Sequence, residues 1–485
     1  MTFVADLEPT ALWSHFDHIL TVPRGSGNEA AMRDYVLSVA ARRGCAHRGD
    51  EAGNLVVTVP ASPGREGAPV VVLQSHLDMV EEKNSGTAHD FTRDPIRPVR
   101  DGEVLRADGT TLGADNGIGV AAMLAVLEGE GPHGPLELLF TIDEERGLAG
   151  AQRLDPSLVS GKVLINLDSE EEGTVIVGCA GGADTRLALP LHREEPGEGT
   201  SGAELRISGL SGGHSGVDIH LQRGNALKVL ARALHAARLT VPFHLAALSG
   251  GDKGNAIPRE ASALVVGETG ALALLGSRLE AELAAIRSEV APADPGLAWS
   301  WEPRPLPPSC WTEVTTWTVL RLLEALPHGV QAMSIDLPGL VETSCNLASV
   351  KEDGDLLRIF LSNRSSIAGA LAALRRRNRA AGSLAGAEVT EGSGYPGWKP
   401  DVASPVLTVV RRAHQRVLGT APQVTAIHAG LECGVIGEKV PGLDMVSIGP
   451  TIRFPHSPNE LVEIETVGRF YRLLTGVLED LAAST

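Results

Sequence analysis

The sequence predicts an α/β protein: a doubly wound, mostly parallel sheet interrupted by an inserted α+β domain with two ferredoxin-like halves. Three observations predict it. From about residue 30, helix-like stretches alternate with short β-branched runs. After Gly178 this texture yields to a polar, Gly-rich loop and two strand–helix groups in succession. From about residue 400 the first texture returns. The expected division is an outer domain of residues 1–184 and 396–485 and an insert of residues 185–395.

Each element has a local reason. The opening MTFVADLEPTALWSHFDHIL lacks a cationic start and an unbroken apolar run, so it reads as an amphipathic helix and not a signal peptide. NEAAMRDYVLSVAARRG is a helix ending at Gly44; NLVVTVP and PVVVLQ are strands bounded by turn residues. GIGVAAMLAVLEG is a helix of small and apolar residues, and PLELLFTI and KVLINL are buried strands. Buried strands separated by helices make a parallel sheet covered on both faces. In the insert, AELRISGL and ALVVGETG are strands around the helix RGNALKVLARALHAARL. The second group has helices at TTWTVLRLLEAL and AGALAALRRRNRAAG and strands at SCNLASVKE and LLRIFLSN. VLTVVRRAHQRVLG and DMVSIG close the chain's α/β part as helix and strand.

The 485 residues carry 42 Lys+Arg and 60 Asp+Glu, a formal charge of −18. That balance speaks against nucleic-acid or anionic-membrane binding, both of which need a cationic face. No stretch approaches the roughly 18 uninterrupted apolar residues of a membrane span. Cys45, Cys179, Cys310, Cys345 and Cys433 are scattered, without C-x-x-C spacing. A disulfide framework or zinc finger is therefore not expected, and a reducing cytoplasm is.

Ligands of open α/β sheets bind beyond the carboxyl ends of the strands. PVVVLQ runs into Ser75-His76-Leu77-Asp78, PLELLFTI into Asp143-Glu144-Glu145, and KVLINL into Asp168-Ser169-Glu170. DMVSIG leads to His456-Ser457-Pro458-Asn459-Glu460, and Asp115 stands just before a helix. One such residue reads as a helix cap; five at one sheet edge read as a metal-ligand constellation. Histidine and carboxylate without cysteine suit Zn²⁺, Co²⁺ or Mn²⁺. The size of the set suggests two ions, about 3.5–4 Å apart, bridged by a carboxylate. Asp115, Glu145 and Asp168 would leave one positive charge for a bridging hydroxide, the nucleophile such a site needs.

PRGSGNE, LQSHLDMVEEK, HDFTRDPI, TLGADNGIG, DEERGLAGA, LINLDSEEEG, GCAGG, GGHSG, GNAIPRE, TSCNLA, YPGWKP, IHAGLECG and HSPNE occur in this order. With these motifs the chain resembles the M20 metallopeptidases, most closely the cytosolic aminoacyl-histidine dipeptidases (peptidase D), nearly end to end. The resemblance implies that His76 and Asp168 bind one zinc, Glu145 and His456 the other, and Asp115 bridges them with a cis peptide to Asn116. It makes Asp78 the residue that orients His76, and Glu144 the general base and later acid. From the residues alone the roles of Glu144 and Glu145 are not separable. The departures are Asp218, where Glu is favoured, and Ser75, where Gly is frequent.

The same resemblance makes the insert a lid that captures substrate. His214, in Gly212-Gly213-His214-Ser215-Gly216, becomes an oxyanion or carboxylate contact, and Asn255 a substrate contact. Arg364, in LSNRSS, is the fork for a free carboxylate. Gly430 lets substrate approach the backbone, and Glu432 is a candidate for the substrate amine. His428 is as readily structural as functional, Arg375-Arg376-Arg377 is a solvated helix face, and His235 and His244 read as ordinary. The implied activity is hydrolysis of Xaa-His dipeptides, including β-alanyl-histidine, by a cytoplasmic enzyme that forms a homodimer. An N-acyl amino acid amidohydrolase on the same fold is the alternative. A non-catalytic homologue is disfavoured because the donor set is intact.

Overall fold

The structure, a computed structural model, describes residue 4 and residues 6–483. By its contacts the chain forms two compact units: Met1–Cys179, Trp398–Ala426 and Leu431–Thr485 make the first, Ala180–Gly397 and Ile427–Gly430 the second.

The first unit is built on a sheet with the strand order Ala46–Gly49, Leu55–Val59, Leu136–Thr141, Val71–His76, Val163–Asn166, Asp444–Ser447, Thr174–Cys179, Gln423–Ile427. The central pairs, from Leu136–Thr141 to Asp444–Ser447, are parallel. On one side the outer strands pair antiparallel. There the connection from Gly49 to Leu55 is a tight turn, too short for the crossover that parallel pairing needs. Val71–His76 is buried along its whole length, as a strand covered on both faces must be. The opening helix is Thr10–Ile19, with Pro9 at its start, where a missing N–H costs nothing; residues 1–3 and 5 of that expected helix lie outside the described residues. The helix Ala114–Glu128 is buried from Ala114 to Leu127, which its small and apolar sequence permits on every side.

A smaller sheet in this unit was not expected. Ile452–Arg453, Leu461–Glu463, Val104–Ala107 and Pro98–Asp101 pair in that order. Its hairpin between Arg453 and Leu461 carries His456.

The second unit is built on an antiparallel sheet with the order Ala298–Arg304, Thr200–Ser208, Ala261–Glu268, His244–Gly250, Val341–Asp353, Leu356–Ser365, Gly181–Pro190, Glu388–Tyr395, with Gly329–Met333 pairing Val341–Asp353 off this path. Its first four strands follow a βαββαβ chain path through the helices Ala226–Arg238 and Leu272–Val290. The last four do the same through Glu313–Ala325 and Ala368–Leu384, the first group being inserted after Gly181–Pro190. The two groups join where Gly250 pairs with Val350. Leu230, Leu234, Leu283, Leu320, Leu347 and Leu361 are among the residues of their common apolar core. Ile427–Gly430 belongs here by hydrogen bonding: the Ala180 N–H donates to the carbonyls of Ile427 and Ala429 at 3.1 and 3.0 Å.

Candidate metal centre

Parallel register brings the carboxyl ends of three strands level in the first unit, so the loops after His76, Thr141 and Asn166 share one edge. His76 Nε2 lies 3.1 Å from Asp115 Oδ1 and 3.3 Å from Asp168 Oδ1. His456 Nε2 lies 3.1 Å from Asp115 Oδ2 and 3.0 Å from Glu145 Oε2. Donor atoms of His76, Asp115 and Asp168 fall within 4.8 Å of one another, as do those of Asp115, Glu145 and His456, and of His76, Glu144 and Glu145. Asp115 thus turns one oxygen to each histidine, and the Asp115–Asn116 peptide is cis.

The electrostatics ask for added positive charge. Hydrogen bonds to Asp115 and Glu145 raise His456 to about 11. Burial works against a charged His76, yet Asp168, Asp115 and Asp78 hold its pKa well above the ordinary value. Burial, opposed by His76 and reinforced by Asp115 and Glu145, pushes Asp168 up to about 6. Burial and the charges of Asp115 and Asp168 push Glu170 up to about 9. Glu144 is raised well above the usual carboxylate range by burial, with Asp168, Glu145 and Glu432 adding to it. Glu145 Oε1 is buried without a hydrogen-bond partner among the described residues. Imidazoles and carboxylates this close, with an orphaned carboxylate oxygen among them, fit two borderline divalent cations.

The surroundings hold the donors in place. Asp78 Oδ1 lies 3.4 Å from His76 Nδ1. The Asp78 carboxylate also accepts the N–H groups of Glu144 and Glu145 at 3.0 and 3.2 Å and the Ser26 hydroxyl at 2.7 Å. Burial opposes its charge, but these bonds and His76 keep its pKa far below the usual range. Arg24, 2% exposed, donates to the carbonyls of Leu77, Asp78 and Gly113. Asn116 donates to the Leu167 carbonyl at 2.9 Å and to Asp168 Oδ1. Gly113 has φ 72°, and a Cβ there would meet Arg24 Nη2 at 2.5 Å, so the turn before Asp115 calls for glycine.

The substrate-contact candidates in the insert gather in the second unit. His214 Nδ1 accepts the N–H groups of Gly216 and Val217 at 3.3 and 3.0 Å, which places the ring proton on Nε2 as a donor. A Cβ on Gly216 would meet the His428 carbonyl at 2.3 Å and Arg364 Nε and His214 Cε1 at 3.1 Å, so these three residues converge there. Arg364 is 8% exposed, donates to the Tyr395 hydroxyl at 3.0 Å, and keeps Nε without a hydrogen-bond partner among the described residues. Gly430 packs against the Tyr395 ring. Asn255 has an exposed side chain, and its carbonyl accepts the Ser215 N–H at 2.7 Å. Glu432 differs from its expected place. It is 0% exposed in the first unit, taking hydrogen bonds from Gln74 and Thr141, both at 2.6 Å, so it underlies the His76 strand and presents no surface.

The family model for peptidase family M20/M25/M40 matches residues 72–480. The chain belongs to this M20 family. It is 41% identical to the "Cytosol non-specific dipeptidase" of Escherichia coli (strain K12), with 100% of both chains covered. The structure of "Aminoacylhistidine Dipeptidase from Vibrio alginolyticus" is similar at TM-score 0.92 and 39% identity, covering 98% of this chain and 97% of that one. Aminopeptidase PepT of Bacillus cereus shares the M20 fold at TM-score 0.58 and 18% identity, covering 98% and 99%.

Sequence reasoning missed three residues of this M20 centre. Glu460, 2% exposed, accepts four backbone N–H groups from Leu112 to Asp115. Arg24 and Gln74 bind the backbone and side chains beneath the donors. Glu460 and Arg24 lie in the motifs HSPNE and PRGSGNE, so their positions were visible; no local pattern says that a motif's last or second residue is turned inward.

Proposed function

We propose that this chain is a metal-dependent dipeptidase of the cytoplasm that uses two Zn²⁺ ions, with Co²⁺ or Mn²⁺ as substitutes, and prefers Xaa-His dipeptides such as β-alanyl-histidine. The observation that supports it most is the division of the two Asp115 oxygens between His76 and His456. In this reading His76 and Asp168 hold one ion, Glu145 and His456 the other, and Asp115 both. When bound, the ions polarise the scissile carbonyl and make water a usable nucleophile near neutral pH.

The chain's own groups do the rest. Glu144 takes the proton of the attacking water and returns it to the leaving amine. Its location among His76, Asp168 and Glu145 leaves its proton affinity responsive to the charge nearby. Asp78 keeps the His76 ring in orientation through Nδ1. Arg364 takes the free carboxylate, His214 donates from Nε2, and Asn255 and Gly430 contact the peptide. The enzyme is a homodimer in this proposal, which light scattering tests. Among the described residues no helix is long and apolar enough to cross a membrane.

The deciding experiment is a dipeptide panel with metal analysis of the same sample. Chelation is expected to abolish Xaa-His hydrolysis, and Zn²⁺ or Co²⁺ to restore it. Full activity in metal-free protein, or cleavage of N-acyl amino acids in place of dipeptides, overturns the reading.

A further inference from the structure

A second donor cluster shares no residue with the centre above. In the second unit Arg193–Glu194 pairs antiparallel with Cys310–Trp311, and Glu194 stands directly opposite Cys310. Residues directly opposite in such a pair project from the same face. His244, at the start of the strand His244–Gly250, brings Nδ1 to 3.3 Å from Glu194 Oε1 and 3.0 Å from the Trp311 carbonyl oxygen. One donor atom each of Glu194, His244 and Cys310 lies within 4.8 Å of the other two.

The thiol is the informative member. Cys310 is 2% exposed, and its burial together with the Glu194 charge beside it raises the thiol pKa. The Glu194 and His244 side chains are 46% and 33% exposed, so the buried sulfur is reached from solvent past two further donors.

We propose that Glu194, His244 and Cys310 form a second, non-catalytic site for a borderline divalent cation, Zn²⁺ foremost. Thiolate sulfur and imidazole nitrogen beside a single carboxylate suit Zn²⁺, whereas Mg²⁺ and Ca²⁺ call for oxygen donors throughout. Tetrahedral Zn²⁺ with bonds of about 2.0–2.3 Å sets its donors roughly 3.3–3.8 Å apart, a small contraction that the exposed Glu194 and His244 side chains supply. The Trp311 carbonyl or a water completes four-coordination. Binding releases the Cys310 thiol proton to solvent, and the His244 ring carries its proton on Nε2. The cation pins the two-stranded ribbon to the end of the His244 strand. This inference is independent of the catalytic reading.

The test exploits sulfur. The catalytic donor set contains none, so a sulfur-to-cobalt charge-transfer band in the near ultraviolet reports the second site alone. Holoenzyme with its catalytic metals in place is titrated with Co²⁺. The expected result is one further Co²⁺ per chain with that band, displaced by Zn²⁺ and absent in Cys310→Ser. Glu194→Gln and His244→Ala, at solvent-facing positions, are expected to weaken Co²⁺ binding at least about tenfold, while Glu194→Gln hydrolyses peptide at the parental rate. A saturating titration without a sulfur band overturns the site. So does a band that persists in Cys310→Ser, or Co²⁺ affinity unchanged in both surface variants.

Discussion

Glu460 is tied to Asp115 by a bond from the Asp115 backbone N–H to the Glu460 carboxylate. Its carboxylate accepts the Asp115 N–H at 3.3 Å and those of Leu112, Gly113 and Ala114 at 2.8, 2.9 and 2.8 Å. A buried carboxylate therefore sets the path of the chain into the residue that faces both histidines. Glu460 also sits four residues beyond His456, so one loop delivers a donor and clamps another.

Glu460→Gln keeps the size of the side chain but replaces one acceptor oxygen by a donor facing N–H groups. Hydrogen bonds to a charged acceptor contribute about 1.5–3 kcal/mol each. The expected outcome is a loss of about 2–3 kcal/mol in denaturant unfolding and weaker metal retention against a competing chelator. Parental metal retention would show that the clamp does not position Asp115.

Glu144→Ala removes the proposed base and leaves the five proposed metal donors intact. Metal content is expected to stay at the parental level while kcat falls by roughly 10²–10⁴-fold. An unchanged kcat with full metal content places the base elsewhere; a loss of metal shows that Glu144 is needed to assemble the centre.

Arg364→Ala tests recognition of the free carboxylate. Removing one partner of a buried charge contact costs about 2 kcal/mol or more, roughly 30-fold in kcat/KM. The loss is expected mainly in KM and on dipeptides with a free C-terminus. An equal loss on C-terminally amidated peptides contradicts the role.

Acid should destabilise the second unit through His428. Burial, with the Arg364 charge beside it, lowers the His428 pKa from 6.5 to about 3. Its Nε2 is shared with the Ser344 hydroxyl at 2.7 Å. The unfolded chain therefore takes up a proton below about pH 6.5 that the folded chain refuses until about pH 3. Stability present above pH 6.5 is lost as the pH falls through this window, by about 2 kcal/mol at pH 5. Burial lowers His328 to about 4 in the same sense. Urea unfolding at pH 7 and pH 5 measures the loss, and His428→Gln should show a smaller one; equal losses in both proteins remove His428 as the cause.

Much of the centre was legible because its signals are local. His76, the acidic pair Glu144-Glu145 and Asp168 follow apolar strands directly, and a strand's carboxyl end is where an α/β sheet exposes such groups. The antiparallel flank of the main sheet was not legible, because short β-branched strands read alike in either direction. The four-stranded sheet that carries His456 was hidden by strands as short as Ile452–Arg453.

The amino-acid order by itself determined the alternation of elements, the donors and the motif sequence by which the chain resembles its family. These depend on residue identity and nearest neighbours. Tertiary structure alone decided which way the long-range groups face. Glu460 reaches Leu112 across 348 positions and Gln74 reaches Glu432 across 358. It enclosed Glu432 beneath a strand, carried Ile427–Gly430 into the second unit, and set His244 beside Cys310. The physical reason is common to all of these: a polar side chain's role follows from the partner that satisfies it once buried, and chain folding, not local sequence, chooses that partner.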